Sequence, residues 1–517
     1  MFVLFYGALV GFSVSVMRAV IMFIIRLLAD ILNRTYDILT ALFTAAVITL
    51  IQNPLWIRDS AFLYSYLAVF FIGLYYTFLR QGQEFRVFRH VVKHHGFRYR
   101  IAKIKMAVSV PILIYLALLP VSLYFQCCSN LLSVPLNLIL GLFTAPILYC
   151  GAFGFFCGLM HMGFLAKMWD FLCTLMLRII DRLSHFVAVS GWTKIINKPT
   201  LAAIIIYYVI FFLFLFIMAG RVNSAFCVLM VTADIMLVGI NLNPCMAITM
   251  VDVGQGDCII IKTSIDSAII CDCGSSDEND VGKYTLVPTL MSMGIRKITD
   301  LYVSHYDSDH INGLTYLLEN MAETSIYVNR IVLPGLPPES LGSEAVSLYR
   351  TIRTAEIPAI FINAGDTVSY PGFSVKCLWP DADYILGDSN SDSMVLLLKA
   401  GDFDMLLSGD ATVSTETRLI KSGLLQLREG SIEVYKCAHH GSNTSSSVQF
   451  LDLIDPRITL ISVGAGNPYG HPRDETLEKL KKIGSTVYRT DLDGAINIYI
   501  HSKKLRIKTY LSLYEND

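Results

Sequence analysis

Charged side chains are scarce in this sequence: Asp, Glu, Lys and Arg make up 16% of the residues, against 54% for hydrophobic types. Few soluble proteins have so little charge. The apolar surplus lies in the first half of the chain, which predicts a membrane part followed by a soluble domain. A basic surplus is also missing, because the net charge is -1 at pH 7. That balance excludes a protein that binds nucleic acid through a general positive charge.

Recognisable cysteine pairs are missing as well. The 12 cysteines are scattered over both halves, many of them inside apolar segments, which favours buried free thiols. Cys271 and Cys273 are too close in sequence for an ordinary disulfide or a standard zinc knuckle. A cleavable signal peptide is not expected, since no small-residue cleavage site follows a short apolar core in residues 2–25. The sequence contains no internal repeat.

Apolar stretches predict a polytopic α-helical membrane domain over residues 1–240, with about six or seven spans. Residues 131–164 are too long for one ordinary helix and contain Pro135 and Pro146, so we expect two crossings there rather than one. Residues 167–197 have the pattern of an amphipathic helix on the membrane surface or against the bundle. The spans are expected at 2–25, 36–51, 61–79, 106–125, 131–164, 201–219 and 225–240.

Basic residues between Arg80 and Lys105 face a single acid, Glu84, which predicts a cytoplasmic loop by the positive-inside rule. A DNA-contacting role for this loop is the alternative. Counting spans from this loop places the soluble domain on the outer face if residues 131–164 cross twice, and inside if they cross once. We expect the outer face. Asp234, within the last span, is either a functional acid or a helix-pairing residue.

Beyond residue 241 short β-like runs alternate with helical patterns, which predicts an α/β domain over residues 241–517. Strands are expected near 247–253, 258–262, 268–271, 298–303, 373–378, 394–399, 403–408, 432–438 and 458–463. Helices are expected near 287–293, 311–319, 343–353, 414–422 and 474–483.

The stretch from Ser304 to His310 joins a predicted strand to a predicted helix. In an extended loop His305, Asp307 and Asp309 project the same way, and His310 turns in beside Asp309 as the helix begins. Loops at the carboxyl ends of strands carry the chemistry of open α/β sheets, so two metal ions could share this cluster. The alternative is a polar loop in which Asp309 caps the helix.

Further polar clusters stand where other strands end, and their convergence predicts one site. Residues 252–257 form a glycine-containing turn that ends at Asp257. The others are residues 389–392, Asp410, the pair His439 and His440, residues 466–472 with His471, and the turn at 491–494 with Asp493.

These motifs resemble the DNA-internalisation competence proteins of the ComEC type, whose carboxyl-terminal domain has a metallo-β-lactamase fold. The residues that carry the resemblance are 252–257, 304–310, 408–410, 438–442 and 466–472. The membrane half is similar to the latter part of the family's competence domain, more loosely, at 18–22, 34–37, 53–54 and 65–68. Asn312 stands where the family usually has Gly. The family's first spans and OB-like domain have no counterpart here, so we expect a short member or a partner chain that supplies them.

The resemblance implies an αββα hydrolase domain with two divalent metal ions, Mn²⁺ or Zn²⁺. It implies that His305 and Asp307 hold one ion, that Asp309 and His310 hold the other, and that Asp410 bridges them. One of His439 and His440 would be a ligand. The other, or His471, would contact the scissile phosphate or orient a ligand. The catalytic residues are then expected to be Asp309, His440 and His471, with Asp257 and Asp493 behind the ligands.

The function implied is DNA uptake by a multi-pass protein of the cell membrane, with a nuclease domain that acts on incoming DNA. Expected partners are DNA, the membrane, other uptake proteins and further copies of the chain. Two alternatives are a membrane-anchored metallohydrolase of a small substrate such as a nucleotide or lactone, and a non-catalytic subunit that conducts DNA. A complete set of ligands disfavours the non-catalytic subunit.

Overall fold

The structure, a computed structural model, describes residues 11, 13–81, 97–130, 132–189, 193–196, 198–218, 246–336, 342–382, 388–425, 427, 431–501 and 504–511. The chain divides into two compact units, Met1–Asn241 and Leu242–Asp517, and each is described by itself. Three predictions fall wholly or largely outside the described residues: the span at 225–240 with Asp234, most of the basic loop at 80–105, and the start of the span at 2–25.

The first unit is helical. Its helices are α1 (Val14–Ile31), α2 (Ile38–Gln52), α3 (Ser60–Gln81), α4 (Phe97–Gln126), α5 (Ser133–Leu159), α6 (Gly163–Val189) and α7 (Leu201–Met218), with a 3-10 turn at Pro54–Arg58. Apolar side chains from α3, α4 and α7 pack into one cluster, and those of α1, α2 and α3 into a second. Two short strands, β1 (Cys128–Asn130) and β2 (Thr193–Ile195), pair antiparallel.

Helix α5 runs unbroken through Pro146, so the prediction that residues 131–164 divide into two short spans is wrong. A single proline removes only one backbone hydrogen bond, and a long apolar helix tolerates that loss. The chain then turns at His161 and returns along α5 as α6. Phe153 stacks on Trp169 at 5.6 Å, and Cys173 lies against the carbonyl of Ile147, which makes the two helices antiparallel.

Within the described residues, α5 is the one helix that is both long and apolar enough to cross a membrane. Shorter apolar helices occur at Ile38–Gln52, Ser60–Tyr75, Val110–Gln126 and Leu201–Phe212. The first unit is therefore a helical region with one clear candidate span.

The second unit contains two β-sheets. The elements of its first half are β3 (Ala247–Met250), β4 (Cys258–Lys262), β5 (Ser267–Cys273), α8 (Val287–Ser292), β6 (Lys297–Tyr302), α9 (Ser308–Glu319), α10 (Met321–Thr324), β7 (Tyr327–Val328), β8 (Ile331–Pro334), α11 (Ser343–Thr354) and β9 (Ala359–Ile362). Those of its second half are β10 (Thr367–Tyr370), β11 (Phe373–Trp379), β12 (Val395–Ala400), β13 (Phe403–Leu407), α12 (Val413–Ser422), β14 (Val434–Lys436), α13 (Val448–Ile454), β15 (Ile458–Ile461), α14 (Asp474–Lys482), β16 (Thr486–Arg489), α15 (Thr490–Asp493), β17 (Ile496–His501) and β18 (Lys504–Thr509).

The two sheets face each other across a shared apolar core. One has the strand order β18-β17-β3-β4-β5-β6-β8-β9, with β7 beside β6, and the other has the order β10-β11-β12-β13-β14-β15-β16. Ile248 and Ile259 of the first sheet belong to the same buried cluster as Leu396 and Met405 of the second. A separate cluster joins the outer face of the second sheet to α12, α13 and α14. This αββα sandwich confirms the predicted fold of the C-terminal half.

The predicted strand and helix positions of this unit agree with the structure to within a few residues, with one consequential shift. Helix α9 begins at Ser308 rather than Ile311. Asp309 and His310 therefore lie in its first helical turn, and Asp307 is the residue that precedes the helix. The sequence-based expectation of an extended loop as far as Asp309 is wrong, because the helix continues backward over polar residues that carry no apolar period.

Candidate metal centre

The segment between β6 and α9 brings four predicted ligands to the edge of the sandwich. Asp307 precedes the helix in an extended conformation, and its side chain makes no capping hydrogen bond. Its carboxylate instead accepts a hydrogen bond from Ser389 Oγ at 2.5 Å and lies 3.5 Å from His305 Nε2. The carboxylate of Asp309 faces His440 Nε2 at 3.5 Å. These acids face imidazoles rather than the free N–H groups of the helix.

Two of the histidines are held from behind through Nδ1. His310 Nδ1 lies 3.1 Å from an oxygen of Asp272, and His440 Nδ1 lies 2.9 Å from the carbonyl of Ser462. A carbonyl can only accept a hydrogen bond, so His440 carries its proton on Nδ1 and presents Nε2 as a lone pair. The two Nε2 atoms lie 3.3 Å and 3.5 Å from the oxygens of Asp410.

The other two histidines of the cluster have the same arrangement. His305 Nδ1 is 3.0 Å from Ser304 Oγ, and His439 Nδ1 is 3.1 Å from Thr444 Oγ1. His439 Nε2 lies 3.9 Å from Asp410. A partner on one ring nitrogen that leaves the other free is the usual environment of a metal-ligating histidine.

His439 and His440 are adjacent in sequence and both adopt left-handed backbone, at φ 49° and φ 53°. Such conformations are uncommon for residues with a side chain, and two in succession need support from their surroundings. Ser445 Oγ supplies it by donating to the carbonyl of Ala438 at 2.9 Å. The turn allows both imidazoles to approach Asp410.

Several of the converging atoms are buried and have no hydrogen-bond partner among the described residues. They are Nε2 of His305, His310 and His440, and Oδ1 of Asp410. Buried polar atoms without partners are costly, and bound divalent cations would satisfy them. One ligand atom from each of Asp309, His310, Asp410 and His440 lies within 4.8 Å of the others, which is close enough to hold an ion. The residues present therefore fit the metal site that the sequence predicts.

Electrostatics in the cluster follow from close pairing of opposite charges. Burial disfavours a charged carboxylate, but the facing imidazole of His440 and the charge of His310 lower the pKa of Asp309 to about 2. Burial likewise opposes a charged imidazole, yet Asp410 and Asp272 raise the pKa of His310 well above its usual value. A metal ion must displace the proton of any imidazole that binds it. Metal binding should therefore weaken as the pH falls.

Behind the ligands lies a buried polar layer that the sequence only partly predicts. Asp257 lies in this layer: its oxygens are 3.6 Å from His440 Nδ1 and 3.9 Å from His310 Nδ1. Two residues of the layer were not predicted, namely Asp272 and Lys436. Lys436 forms an ion pair with Asp257 and lies 3.7 Å from Asp410 Oδ1.

Both missed residues carry a signal that could have been used. Asp272 is an acid at the end of a predicted strand, as the other site residues are. It sits at an irregularity between β4 and β5, with φ 54°, which turns its carboxylate towards His310 and the backbone N–H of Ser304. Lys436 is a lone charge in an apolar strand, and a lysine in such a position is normally paired.

His471 lies at the rim of the cluster, with its ring centroid 5.7 Å from that of His439. Burial and the neighbouring imidazoles lower the pKa of His471 to about 4, so the ring is neutral at physiological pH. Tyr469 stacks on it at 6.0 Å and is 51% exposed. Asn467 fixes the loop by accepting from the N–H of His471 at 3.1 Å and donating to its carbonyl at 2.7 Å.

Asp493 is not brought to the cluster. It ends the short helix α15, where its carboxylate accepts a hydrogen bond from the N–H of Arg489 at 2.9 Å. This contact holds the turn before β17. The expected place of Asp493 behind the ligands rested on the family pattern alone, and the contacts described for it are local.

Comparison with known proteins agrees with the two units. Residues 1–221 match the family described as Competence protein, and residues 251–465 match the Metallo-beta-lactamase superfamily. The chain is 25% identical to ComE operon protein 3 of Bacillus subtilis (strain 168) over 99% of its own length and 64% of that protein. It is 29% identical to Competence protein ComA of Neisseria gonorrhoeae over 48% of its length and 32% of that protein.

Among solved structures, the metallo-beta-lactamase fold protein YhfI from Bacillus subtilis aligns over 49% of this chain and 99% of that one, at 11% identity and a TM-score of 0.33. The sequence match places residues 251–465 in the metallo-beta-lactamase superfamily. The chain as a whole has the organisation of a ComEC-type protein, a Competence region followed by a metallo-beta-lactamase domain. It spans less than two thirds of the length of these relatives.

Proposed function

We propose that this chain is a membrane-embedded DNA-uptake protein whose C-terminal domain is a two-metal phosphodiesterase that cleaves incoming DNA. The observation that carries the proposal is the convergence of buried, unpartnered Nε2 atoms from His305, His310 and His440 around Asp410. Divalent ions at such a centre supply Lewis-acid stabilisation of phosphate charge and an activated water.

The residues divide into two groups by position. His305 and Asp307 would hold one ion, and Asp309, His310 and His440 the other. Asp410 lies with the second group, since its two oxygens face His310 and His440. That it would also bridge to the first ion is what the family resemblance implies. Because His440 belongs to the tight four-residue group, we assign it as the ligand and leave His439 and His471 to face the substrate. Mn²⁺ and Zn²⁺ both suit a mixed set of carboxylates and imidazoles.

At the rim, His439 and His471 are suited to a phosphate. His439 is partly exposed, and its Nε2 points towards Asp410. The backbone of His471 makes two hydrogen bonds to the side chain of Asn467, so the loop that carries the ring is already in place before substrate binds. The exposed ring of Tyr469 beside it offers a face on which a nucleobase can stack.

The first unit supports a multi-pass membrane protein with the hydrolase domain on the outer face. Strands β1 and β2 pair, so the residues before α5 and after α6 lie side by side. If α5 crosses the bilayer, the chain must return to the side of β1 before it reaches β2, which makes an even number of crossings between these strands. The described helix between α5 and β2 is α6, whose pattern is amphipathic. That return replaces the two crossings first expected within residues 131–164.

The decisive experiment is cleavage of DNA by the C-terminal segment 246–517 after metal removal and reloading. We expect hydrolysis of single- or double-stranded DNA with Mn²⁺, and lower activity with Zn²⁺. Hydrolysis of a small phosphodiester such as bis-p-nitrophenyl phosphate without cleavage of DNA would favour the anchored hydrolase of a small substrate. Failure on both substrates, with metal bound, would favour the non-catalytic subunit.

A further inference from the structure

Lys436 is the last residue of β14 and is 1% exposed. Its ammonium forms an ion pair with Asp257, donates to the carbonyl of Gly409 at 2.8 Å and lies 3.7 Å from Asp410 Oδ1. Of the three N–H donors of the ammonium, Asp257 and the Gly409 carbonyl accept two, while Asp410 Oδ1 lies within reach of its charge but beyond hydrogen-bond distance. The side chain thus reaches from one strand to the turn that carries Asp410 and to the acid behind the histidines.

The surroundings of Lys436 have the composition of a cation site. Asp257, Asp272 and His310 are fully or almost fully buried, and one ligand atom of each lies within 4.8 Å of the others. A cavity of about 20 Å³ lies among Asp257, Asp272 and Lys436. That is room for roughly one water molecule. Buried carboxylates at this density are unfavourable without a positive charge among them.

We propose that Lys436 is a built-in cation beneath the metal centre. Its ammonium supplies the positive charge that the pocket of Asp257, Asp272 and His310 would otherwise take from a metal ion. Through Gly409 it also holds the turn that presents Asp410. Lys436 is therefore a positioning residue: it acts on the ligands and not on the substrate.

A tethered cation has a specific consequence for the site. It is present before any metal binds, so the acids behind the ligands are neutralised in the metal-free protein and Asp410 is already oriented. It also occupies the pocket of Asp257, Asp272 and His310, so that a divalent ion cannot bind there. The number of divalent ions that the protein holds is then set only by the predicted metal ligands, from His305 to His440.

The first test compares metal-free, full-length protein in detergent with its Lys436→Met and Lys436→Met/Asp257→Asn variants, using hydrogen exchange of β13 and β14. Breaking one half of a buried ion pair should speed exchange more than about a hundredfold, even to the point of unfolding. Removing both charges should restore most of the protection. A double variant as unstable as the single one would show that Lys436 only fills space and would overturn the proposal. Lys482→Met, at an exposed lysine, is the control.

The second test counts bound Mn²⁺ in full-length Lys436→Ala, which removes the ammonium and opens space. We expect one more equivalent than in the unaltered protein, displaced by propylammonium but not by propanol. Lys436→Ala/Asp257→Asn should return to the original count. An unchanged count in Lys436→Ala would contradict the proposal. This count rests on the proposed metal cluster, whereas the exchange test does not, and neither depends on whether DNA is cleaved.

Discussion

Asp309 lies in the first turn of α9, and its carboxylate reaches across to His440. Asp309→Ala should remove one ligand from the tight group, so DNA cleavage by the segment 246–517 should fall by several orders of magnitude while the fold survives. Initial rates at saturating Mn²⁺, with circular dichroism as the check on folding, measure the effect. Asp474→Ala, at an exposed acid on α14, is the matched control and should stay near the original rate. Equal rates for the two variants would show that Asp309 is not needed for cleavage.

Asp307 differs from the other ligands because its carboxylate is 41% exposed and is held by Ser389. Asp307→His replaces a hard oxygen donor with a softer nitrogen, so the bound Mn²⁺ to Zn²⁺ ratio should shift towards Zn²⁺. Elemental analysis after equilibration with equal amounts of both ions measures that ratio. Ser389→Ala removes only the hydrogen bond and should change the ratio less. If the histidine variant binds both ions in the original ratio, Asp307 is not a ligand.

At the scale of elements, the turn that carries His439 and His440 depends on a buried glutamate from a neighbouring helix. Glu416 on α12 accepts hydrogen bonds from the N–H groups of Ser446 at 2.5 Å and Ser447 at 2.9 Å. These N–H groups lie at the start of α13, where a negative charge is favourable. The glutamate thus ties α12 to the segment that follows the two histidines.

Glu416→Gln should place an amide N–H₂ against one of these buried donors and lower the free energy of unfolding by about 1–3 kcal/mol. Urea unfolding of the segment 246–517 checks the loss. Glu475→Gln, whose side chain is 67% exposed and pairs only with Lys479, should cost far less. A loss no greater than that of the control would show that the tether is dispensable.

Elements also show which parts of the fold were predictable. The strands that were predicted are short apolar runs ended by a turn, as in Cys258–Lys262 and Phe403–Leu407. Strands β7 to β10 and β16 to β18 were not predicted. The start of α9 was misplaced because Ser308, Asp309 and His310 are polar, and periodicity carries no information there. Helix α5 was divided in two because proline weakens a helix locally, whereas the neighbouring α6 packs along its length.

For the whole molecule, the side of the membrane on which the C-terminal unit lies can be tested. The pairing of β1 with β2 predicts an even number of crossings between these strands, which places that unit on the outer face. A cysteine at Tyr284, an exposed position on the C-terminal unit, should react with a membrane-impermeant maleimide added to intact cells. The described cysteines of that unit are all buried, so background labelling there should be low. Labelling only after lysis would place the unit inside and would mean that α6 does not cross. The control is a cytoplasmic marker protein with an exposed cysteine, which the maleimide should not label while the cells are intact.

The sequence by itself determined the two-part organisation, the α/β class of the second part and the residue types at the metal centre. The first two follow from composition and local periodicity, and the third from short motifs in which His305, Asp307, Asp309 and His310 are close in the chain. The αββα arrangement was implied by the family resemblance that these motifs carry. Tertiary structure alone decided which atoms converge. His440 and Asp309 are 440 − 309 = 131 residues apart in the sequence, yet their side chains lie 3.5 Å from each other. Lys436 pairs with Asp257 across a still larger separation, 436 − 257 = 179 residues. Such contacts depend on how strands pair and how far a side chain extends, and local sequence encodes neither.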